Sequence, residues 1–304
     1  YLYYDILILM NKYKLNILFM YQRYKMIRLL MKHFPYLMIQ IKYFKKLRRF
    51  AHINHPITYN EKNQWMKLYY NTPLMERVAD KIKLRDYLSE KGLGYYNVPI
   101  LQIYHNYDEI DFSLLPTQFV IKTNHGSGFN KIILDKHKIN HEELKAYFDY
   151  VMKLNYSDFN HELVYKNIKP MIIIEPYLGE LFDYKIMCTN HDILYTVSLK
   201  RYPDGHYDEG FYDKNWDKSL GGFKHIKVLD PKIKPEYKEE MNRIARLISQ
   251  DFLQVRVDFY EVNQRVYISE LTFYSESGML DFEPRDVEMK LGDTFILPQE
   301  HTLK

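Results

Sequence analysis

Cysteine is almost missing from this 304-residue chain. A single Cys188 leaves no partner for an internal disulfide and no multi-cysteine zinc site, which fits a reducing compartment. Twelve histidines are present, yet none falls at a metal-ligand spacing. No uncharged run approaches ~20 residues, so no segment reads as a transmembrane helix. Lys12 and Lys14 interrupt the first apolar stretch and no small-residue cleavage site follows, which argues against a signal peptide. There is no internal repeat and no low-complexity tract. No Asp-x-Asp triplet occurs; the nearest run, Asp108-Glu109-Ile110-Asp111, is one residue too long. What remains is a globular composition, 46% apolar and 27% charged, in a chain long enough for two or three lobes.

Acid is locally missing too. Residues 1–50 hold eleven Lys and Arg against Asp5 alone, a charge of +10, so the remainder carries −6 to reach the total of +4. The same segment is rich in Leu, Ile, Met, Tyr and Phe, and reads as two amphipathic helices broken near Pro35. Three roles are open to it. It packs on the rest of the protein; or it lies on an anionic membrane surface, where each basic residue contributes ~1 kcal/mol; or it holds an acidic polymer. No nucleic-acid recognition motif accompanies it, and nucleic acid is not an expected partner.

Two stretches carry chemistry. The first is Arg256-Val257-Asp258-Phe259-Tyr260, followed by Glu270-Leu271-Thr272. Alternation puts Val255, Val257 and Phe259 on one face of a strand and Arg256, Asp258 and Tyr260 on the other; on the return strand Val266, Ile268, Glu270 and Thr272 share a face. A three-residue turn at Asn263-Gln264-Arg265 would set Asp258 opposite Glu270, whereas a two-residue turn would put them on opposite faces. Two like charges so close need a cation, and their oxygens suit Mg²⁺. The second stretch is Phe119-Val120-Ile121-Lys122, then the loop Thr123-Asn124-His125-Gly126-Ser127-Gly128-Phe129-Asn130, then Lys131-Ile132-Ile133-Leu134. Small residues let backbone amides approach an anion, and Lys122 is placed to add a point charge. Neither a P-loop nor a dinucleotide fingerprint fits, since no Gly-Lys-Ser/Thr and no helix follow.

Elsewhere the pattern predicts helices over Asn60–Tyr70, Met75–Lys91, His141–Leu154 and Pro235–Phe252, and a hairpin joining Asp183–Cys188 to Ile193–Lys200. Between the two chemical stretches, Ile172-Ile173-Ile174-Glu175-Pro176-Tyr177-Leu178-Gly179 reads as a buried strand breaking into a hinge.

The order of these pieces resembles ATP-grasp enzymes. The phrases Thr58-Tyr59-Asn60-Glu61-Lys62-Asn63-Gln64-Trp65 and Ala79-Asp80-Lys81, the Lys122-to-Asn130 loop and Glu270-Leu271-Thr272-Phe273 resemble most closely the TupA-like branch, found in gene clusters for teichuronopeptide and other surface polysaccharides. The likeness runs from about Pro56 to Pro298. Thr272 stands where many ATP-grasp enzymes have Asn.

The resemblance implies an α+β ATP-grasp fold, two lobes clamping ATP, preceded by the basic helical segment. The corresponding division is 1–55 basic segment, 56–115 N-terminal lobe, 116–180 small lobe with glycine loop and hinge, and 181–304 large lobe with the metal site. It implies that Lys122 meets the α/β phosphates and that the backbone of Gly126-Ser127-Gly128 closes over the β/γ end; for His125 two roles are open, contact with phosphate or substrate, or filling the loop. Glu175, Tyr177 and Leu178 would line the adenine, Asp183 would reach the ribose, and Lys185 and Lys81 would add phosphate contacts. Asp258, Glu270 and Thr272 would hold Mg²⁺, and Arg256, Lys200 and Arg201 are the candidate catalytic cations. The implied cofactors are ATP and Mg²⁺. The implied substrates are a uronic-acid carboxylate, on a sugar or polymer, and an amine donor, joined as an amide in the cytoplasm or at the inner face of the membrane. A glycosyltransferase is the alternative, though the missing Asp-x-Asp weighs against it. Replacing Asp258 or Glu270 by its amide is expected to leave folding intact.

Overall fold

Proline sets the break between the first two described helices. The computed structural model describes residues 15–179, 181–201, 207–224, 227–228 and 234–298, so residues 1–14 of the basic segment lie outside it. A helix at Leu15–His33 ends just before Pro35, which opens the next helix, Pro35–Leu47. The expected break between two helices is therefore observed. Two compact units follow: residues 1–38 with 99–177, and residues 39–98 with 178–304.

The first unit is built on four antiparallel strands, β1 (Gln102–Tyr104), β2 (Phe119–Thr123), β3 (Asn130–Ile133) and β4 (Ile172–Pro176), in the order β1-β4-β2-β3. Alternation sends Phe119 and Ile121 of β2 and Ile172 and Ile174 of β4 into one core with Leu144, Phe148 and Val151 of the His141–Val151 helix. Tyr24 of the first helix joins this core, and its hydroxyl donates to Asp158 at 2.5 Å. Lys122 and Glu175 project from the sheet's other face.

The second unit is built on a larger sheet of β5 (Phe182–Thr189), β6 (Asp192–Arg201), β7 (Tyr207–Tyr212), β8 (Ser219–Phe223), β9 (Lys227–Val228), β10 (Gln254–Val262), β11 (Arg265–Thr272) and β12 (Phe282–Glu283). The order is β11-β10-β5-β6-β7-β8-β12, with β9 beside β7. One face is apolar: the Lys238–Ser249 helix lays fully buried Met241, Ile244, Ala245 and Ile248 against β5, β6 and β10. The opposite face carries Asp183, Lys185, Arg256, Asp258 and Glu270 beside the buried Tyr195, Val197 and Leu199 of β6.

The stretch read as one helix over Met75–Lys91 is two, Pro73–Ala79 and Lys83–Glu90. Asp80 makes the break, because its extended backbone ends the first helix and its side chain accepts from the Ile82 amide at 2.9 Å. The Thr58–Trp65 phrase proves to be a helix start. Thr58 caps the Tyr59–Tyr69 helix, and Glu61 completes a capping box. Glu61 goes further: it accepts from the amides of His52 at 3.0 Å, Ile57 at 3.1 Å and Thr58 at 3.0 Å.

Burial alone would raise the Glu61 pKa, but those amides outweigh it and hold the carboxyl below its ordinary value. A depressed carboxylate pKa stabilises the fold above the unfolded-state value of about 4.3 and loses that contribution as pH falls through the folded-state value. Glu61→Gln should therefore cost about 1–3 kcal/mol at neutral pH. In urea titrations the gap to wild type should narrow below about pH 4. A gap independent of pH would contradict a charged Glu61.

Candidate functional site

Strand alternation and one bulge build the polar face of the second unit. The β10–β11 turn is two residues long, Asn263 and Gln264, both left-handed with φ of 52° and 57°, and pairing starts at Val262 with Arg265. By that turn alone Asp258 would face Ser269 and Glu270 would point away. The register shifts between Asp258 and Phe259, so that Phe259 pairs with Ile268 while Asp258 pairs with Glu270. Ser269 is the extra residue, a β-bulge, and its hydroxyl donates to the Asp258 carbonyl at 3.2 Å. The carboxylates do face each other, but through a two-residue turn plus a bulge rather than the expected three-residue turn. The bulge also corrects the face assignment on β11: Val266 and Ile268 lie with Leu271 on the apolar side, and Glu270 and Thr272 lie with Asp258.

Around these acids the structure gathers cations. Arg256 sets its fork on Asp258, with Nε to Oδ1 and Nη2 to Oδ2 both at 2.6 Å. Lys185 Nζ, from the paired position on β5, is 3.1 Å from Asp258 Oδ2 and 3.9 Å from Asp183. Lys81 Nζ is 3.3 Å from Glu270, and Arg256 Nη2 is 3.9 Å from the same carboxylate. Three carboxylates and three cations thus share one sheet face. Burial works against the charge on Arg256, but Asp258 and then Glu270 more than compensate, and its pKa is raised. Lys81, singled out only by its phrase, is tied to the cluster through Glu270. Thr272 shares the face, and its hydroxyl accepts from Arg256 Nη2 at 3.3 Å.

Sequence reading missed Ser275, whose hydroxyl accepts from Arg256 Nη1 at 2.9 Å. Its loop runs left-handed through Glu276, Ser277 and Gly278. The Tyr59–Tyr69 helix holds it there: Gln64 donates to the Gly278 carbonyl at 2.5 Å, Lys67 to Ser277 at 2.9 Å, and Asn60 to Leu280 at 2.7 Å. A side chain at position 278 would strike Asn63 at 2.5 Å. The polar run Asn60-Glu61-Lys62-Asn63-Gln64 was the available signal, since so many amides on one helix need backbone partners.

Two expected residues stand apart. Lys200 pairs with Phe182, one position off the register of Asp183, and so lies on the opposite face, its ammonium 5.8 Å from the Phe182 ring centroid. The structure does not bring it to the cluster. The side chain of Arg201 lies outside the described residues.

In the first unit Lys122 and Glu175 form a buried pair, Nζ to Oε2 2.7 Å, from offset positions on β2 and β4. The loop after β2 is pinned by Asn124, which donates to the Lys169 carbonyl and accepts from the Met171 amide. His125 is buried: its Nε2 lies 3.3 Å from the Val151 carbonyl and its ring 5.6 Å from Phe129. It fills the loop from beneath, the second of the two roles open to it. Ser127 is exposed and Gly128 half-buried, with φ of 78° at Gly128. Tyr177, Leu178 and Gly179 are half-buried beyond β4.

Gly126 and Gly179 both need a left-handed backbone, φ 74° and 90°, so alanine costs ~1–2 kcal/mol at either. Only at Gly126 would the methyl also meet a ring, Tyr156, at 2.6 Å, whereas Gly179 has open space. Gly126→Ala should lose about 1–3 kcal/mol more than Gly179→Ala by urea denaturation. Equal losses would contradict the packed glycine loop.

Residues 61–296 match the family described as TupA-like ATPgrasp. Comparison with curated proteins gives no match. Among solved structures the chain is similar to D-alanine–D-alanine ligase from Bacillus anthracis complexed with ATP, at 16% identity and a TM-score of 0.42, over 65% of this chain and 55% of that one. It is similar to D-alanine–D-alanine ligase from Helicobacter pylori, at 15% and 0.42, over 74% and 60%. It is similar to an L-amino acid ligase from Bacillus licheniformis, at 14% and 0.44, over 84% and 55%. The chain spans less than two thirds of the length of each. With most of its length inside the family match, and with the α+β fold expected of it, the chain belongs to the TupA-like ATP-grasp family.

Proposed function

We propose that this protein is an ATP-dependent carboxylate–amine ligase of surface-polysaccharide biosynthesis. It joins a uronic-acid carboxylate to an amino acid or amino alcohol through an acyl phosphate. The facing pair Asp258 and Glu270, with Arg256, Lys185 and Lys81 around it, is the observation that carries this reading.

The donor set suits Mg²⁺, which is usually held by one or two carboxylates, the substrate's phosphates completing its shell. Among the described residues no group of three or more His, Cys, Asp or Glu side chains forms a metal site alone, so two carboxylates that rely on nucleotide oxygens match that habit. Bound there, Mg²⁺ would neutralise charge on the phosphates as the γ-phosphoryl group moves.

The chain's own residues would do the rest. Lys122 and the amides of Gly126-Ser127-Gly128 would bind phosphate oxygens, and Glu175, Tyr177 and Leu178 would line the adenine. Asp183 would accept from the ribose, and Lys185 would meet phosphate. The acceptor carboxylate attacks the γ-phosphorus and ADP leaves. The amine then attacks the acyl carbon, phosphate leaves, and the nitrogen loses a proton. Arg256, already fixed by Asp258 and Ser275, is the cation placed to stabilise charge developing in these steps. The polysaccharide setting rests on the likeness of the four phrases to the TupA-like branch.

Purified protein with ATP, Mg²⁺, a uronic-acid panel and an amine panel should yield an amide and ADP by mass spectrometry. AMP with pyrophosphate would contradict the acyl phosphate, and sugar transfer without ATP would favour a glycosyltransferase. Glu270→Gln should lower turnover by about 100-fold or more. It is the cleaner variant, because the Glu270 side chain is 29% exposed. Asp258→Asn, contrary to the expectation from sequence, should also destabilise by about 3–5 kcal/mol, since it leaves Arg256 and Lys185 without a full counter-charge in a buried place. Wild-type turnover in folded Glu270→Gln would overturn the placement of the site.

A further inference from the structure

The Leu15–His33 helix is apolar on two sides. Its inner side is accounted for: Tyr24 and Met31 are buried, at 3% and 2% exposure. Its outer side carries Phe19 at 70%, Met26 at 58%, Leu29 at 59% and Leu30 at 37% exposure. Positions 19, 26 and 30 are separated by seven and four residues, so they stack along one line of the helix, with Leu29 beside it. Cations border that line. Arg23 lies on one flank, and Lys25 and Lys32 lie on the other. No Asp or Glu occurs anywhere from residue 6 to residue 50.

This arrangement has a specific chemistry. A stripe of large apolar side chains, edged on both sides by long cationic ones, suits the boundary of an anionic bilayer: the stripe enters the acyl region while Lys and Arg reach the headgroups. Among the described residues no helix is long and apolar enough to cross a membrane. A second copy of this chain would fit less well, since it would bring the same cations to the same surface. An acidic polymer would satisfy the cations but leave Phe19, Met26 and Leu30 in water.

We propose that the outer face of the Leu15–His33 helix docks on the surface of an anionic lipid bilayer, with Phe19, Met26, Leu29 and Leu30 inserted and Arg23, Lys25 and Lys32 at the headgroups. The proposal stands apart from the ligase reading, because none of these residues belongs to the acid–base cluster or to the glycine loop. It goes beyond the bare charge of the segment by naming the face and the side chains that enter the lipid.

The test is co-sedimentation of the full chain with vesicles of phosphatidylcholine alone or mixed with phosphatidylglycerol. A double variant, Met26→Glu with Leu30→Glu, serves as the probe. Both positions are exposed, so the variant should keep the wild-type melting temperature. Wild type should bind the mixed vesicles and not the neutral ones. Binding should weaken from about 0.1 M to 1 M salt, as the screening length falls from ~10 Å to ~3 Å. The double variant should lose on the order of tenfold or more in partitioning. Absence of binding to the mixed vesicles at low salt would overturn the proposal. So would undiminished binding by a folded double variant, which would mean that charge alone attracts the lipid. A dimer that sediments as a monomer only when the two glutamates are present, with no vesicle binding by wild type, would assign the face to a second copy instead.

Discussion

The fork between Arg256 and Asp258 is the contact on which the polar face of the second unit depends. Asp258 is only 3% exposed, and taking a carboxylate that far from water costs several kcal/mol unless cations and hydrogen bonds replace the solvent. Two charges 4 Å apart attract by only about 4 kcal/mol at an effective dielectric near 20, so one partner would barely offset the loss. Asp258 has more than one: both of its oxygens meet Arg256, and one also meets Lys185. Asp183 and Glu270 then share Lys185 and Lys81, so three acids and three bases balance within one network. A buried network of this kind does not maximise stability, because apolar residues of similar size would often be as stable or more so. Its presence on one face of an otherwise well-packed sheet points to chemistry as the reason for it.

That network is held by parts of the chain distant in sequence. On the sheet's other face the Lys238–Ser249 helix supplies the apolar packing that fixes β5 and β10, and hence the spacing of Lys185 and Asp258. The Ser269 bulge turns Glu270 to the same side as Asp258. Arg256 is tied onward to Ser275, whose loop keeps three successive left-handed residues because Asn60, Gln64 and Lys67 donate to its carbonyls. Asn60, Gln64 and Lys67 of the Tyr59–Tyr69 helix thus satisfy backbone carbonyls that have turned away from regular pairing.

Much of this was legible in the sequence. Period-two alternation placed β2, β4 and β10, and the 3.6-residue stripe of Met241, Ile244, Ala245 and Ile248 placed their helix, because in both cases one face is fully buried. Pairing of Asp258 with Glu270 was also legible, but its cause was not. A bulge has no residue signature as strong as the glycine of a tight turn, and Ser269 looks like any polar strand residue. The break at Asp80 was hidden inside a good apolar period, because a side chain capping its own backbone overrides periodicity. Contacts across the sheet were out of reach: nothing in sequence says that Lys81 meets Glu270, or that Lys200 falls one register position away from the acid face. The glycine loop left His125 open between a ligand contact and a filler, and only the fold shows its ring packed beneath the loop against Val151 and Phe129.

The central claim is that Asp258 and Glu270 together form the metal position. A crystal structure with Mn²⁺ in place of Mg²⁺ and a non-hydrolysable ATP analogue tests it most directly, since the anomalous signal locates the ion independently of the fold. The account predicts an anomalous peak ~2.1 Å from oxygens of both carboxylates and of the nucleotide phosphates. A peak elsewhere, with both carboxylates still held by Arg256, Lys185 and Lys81, would contradict it.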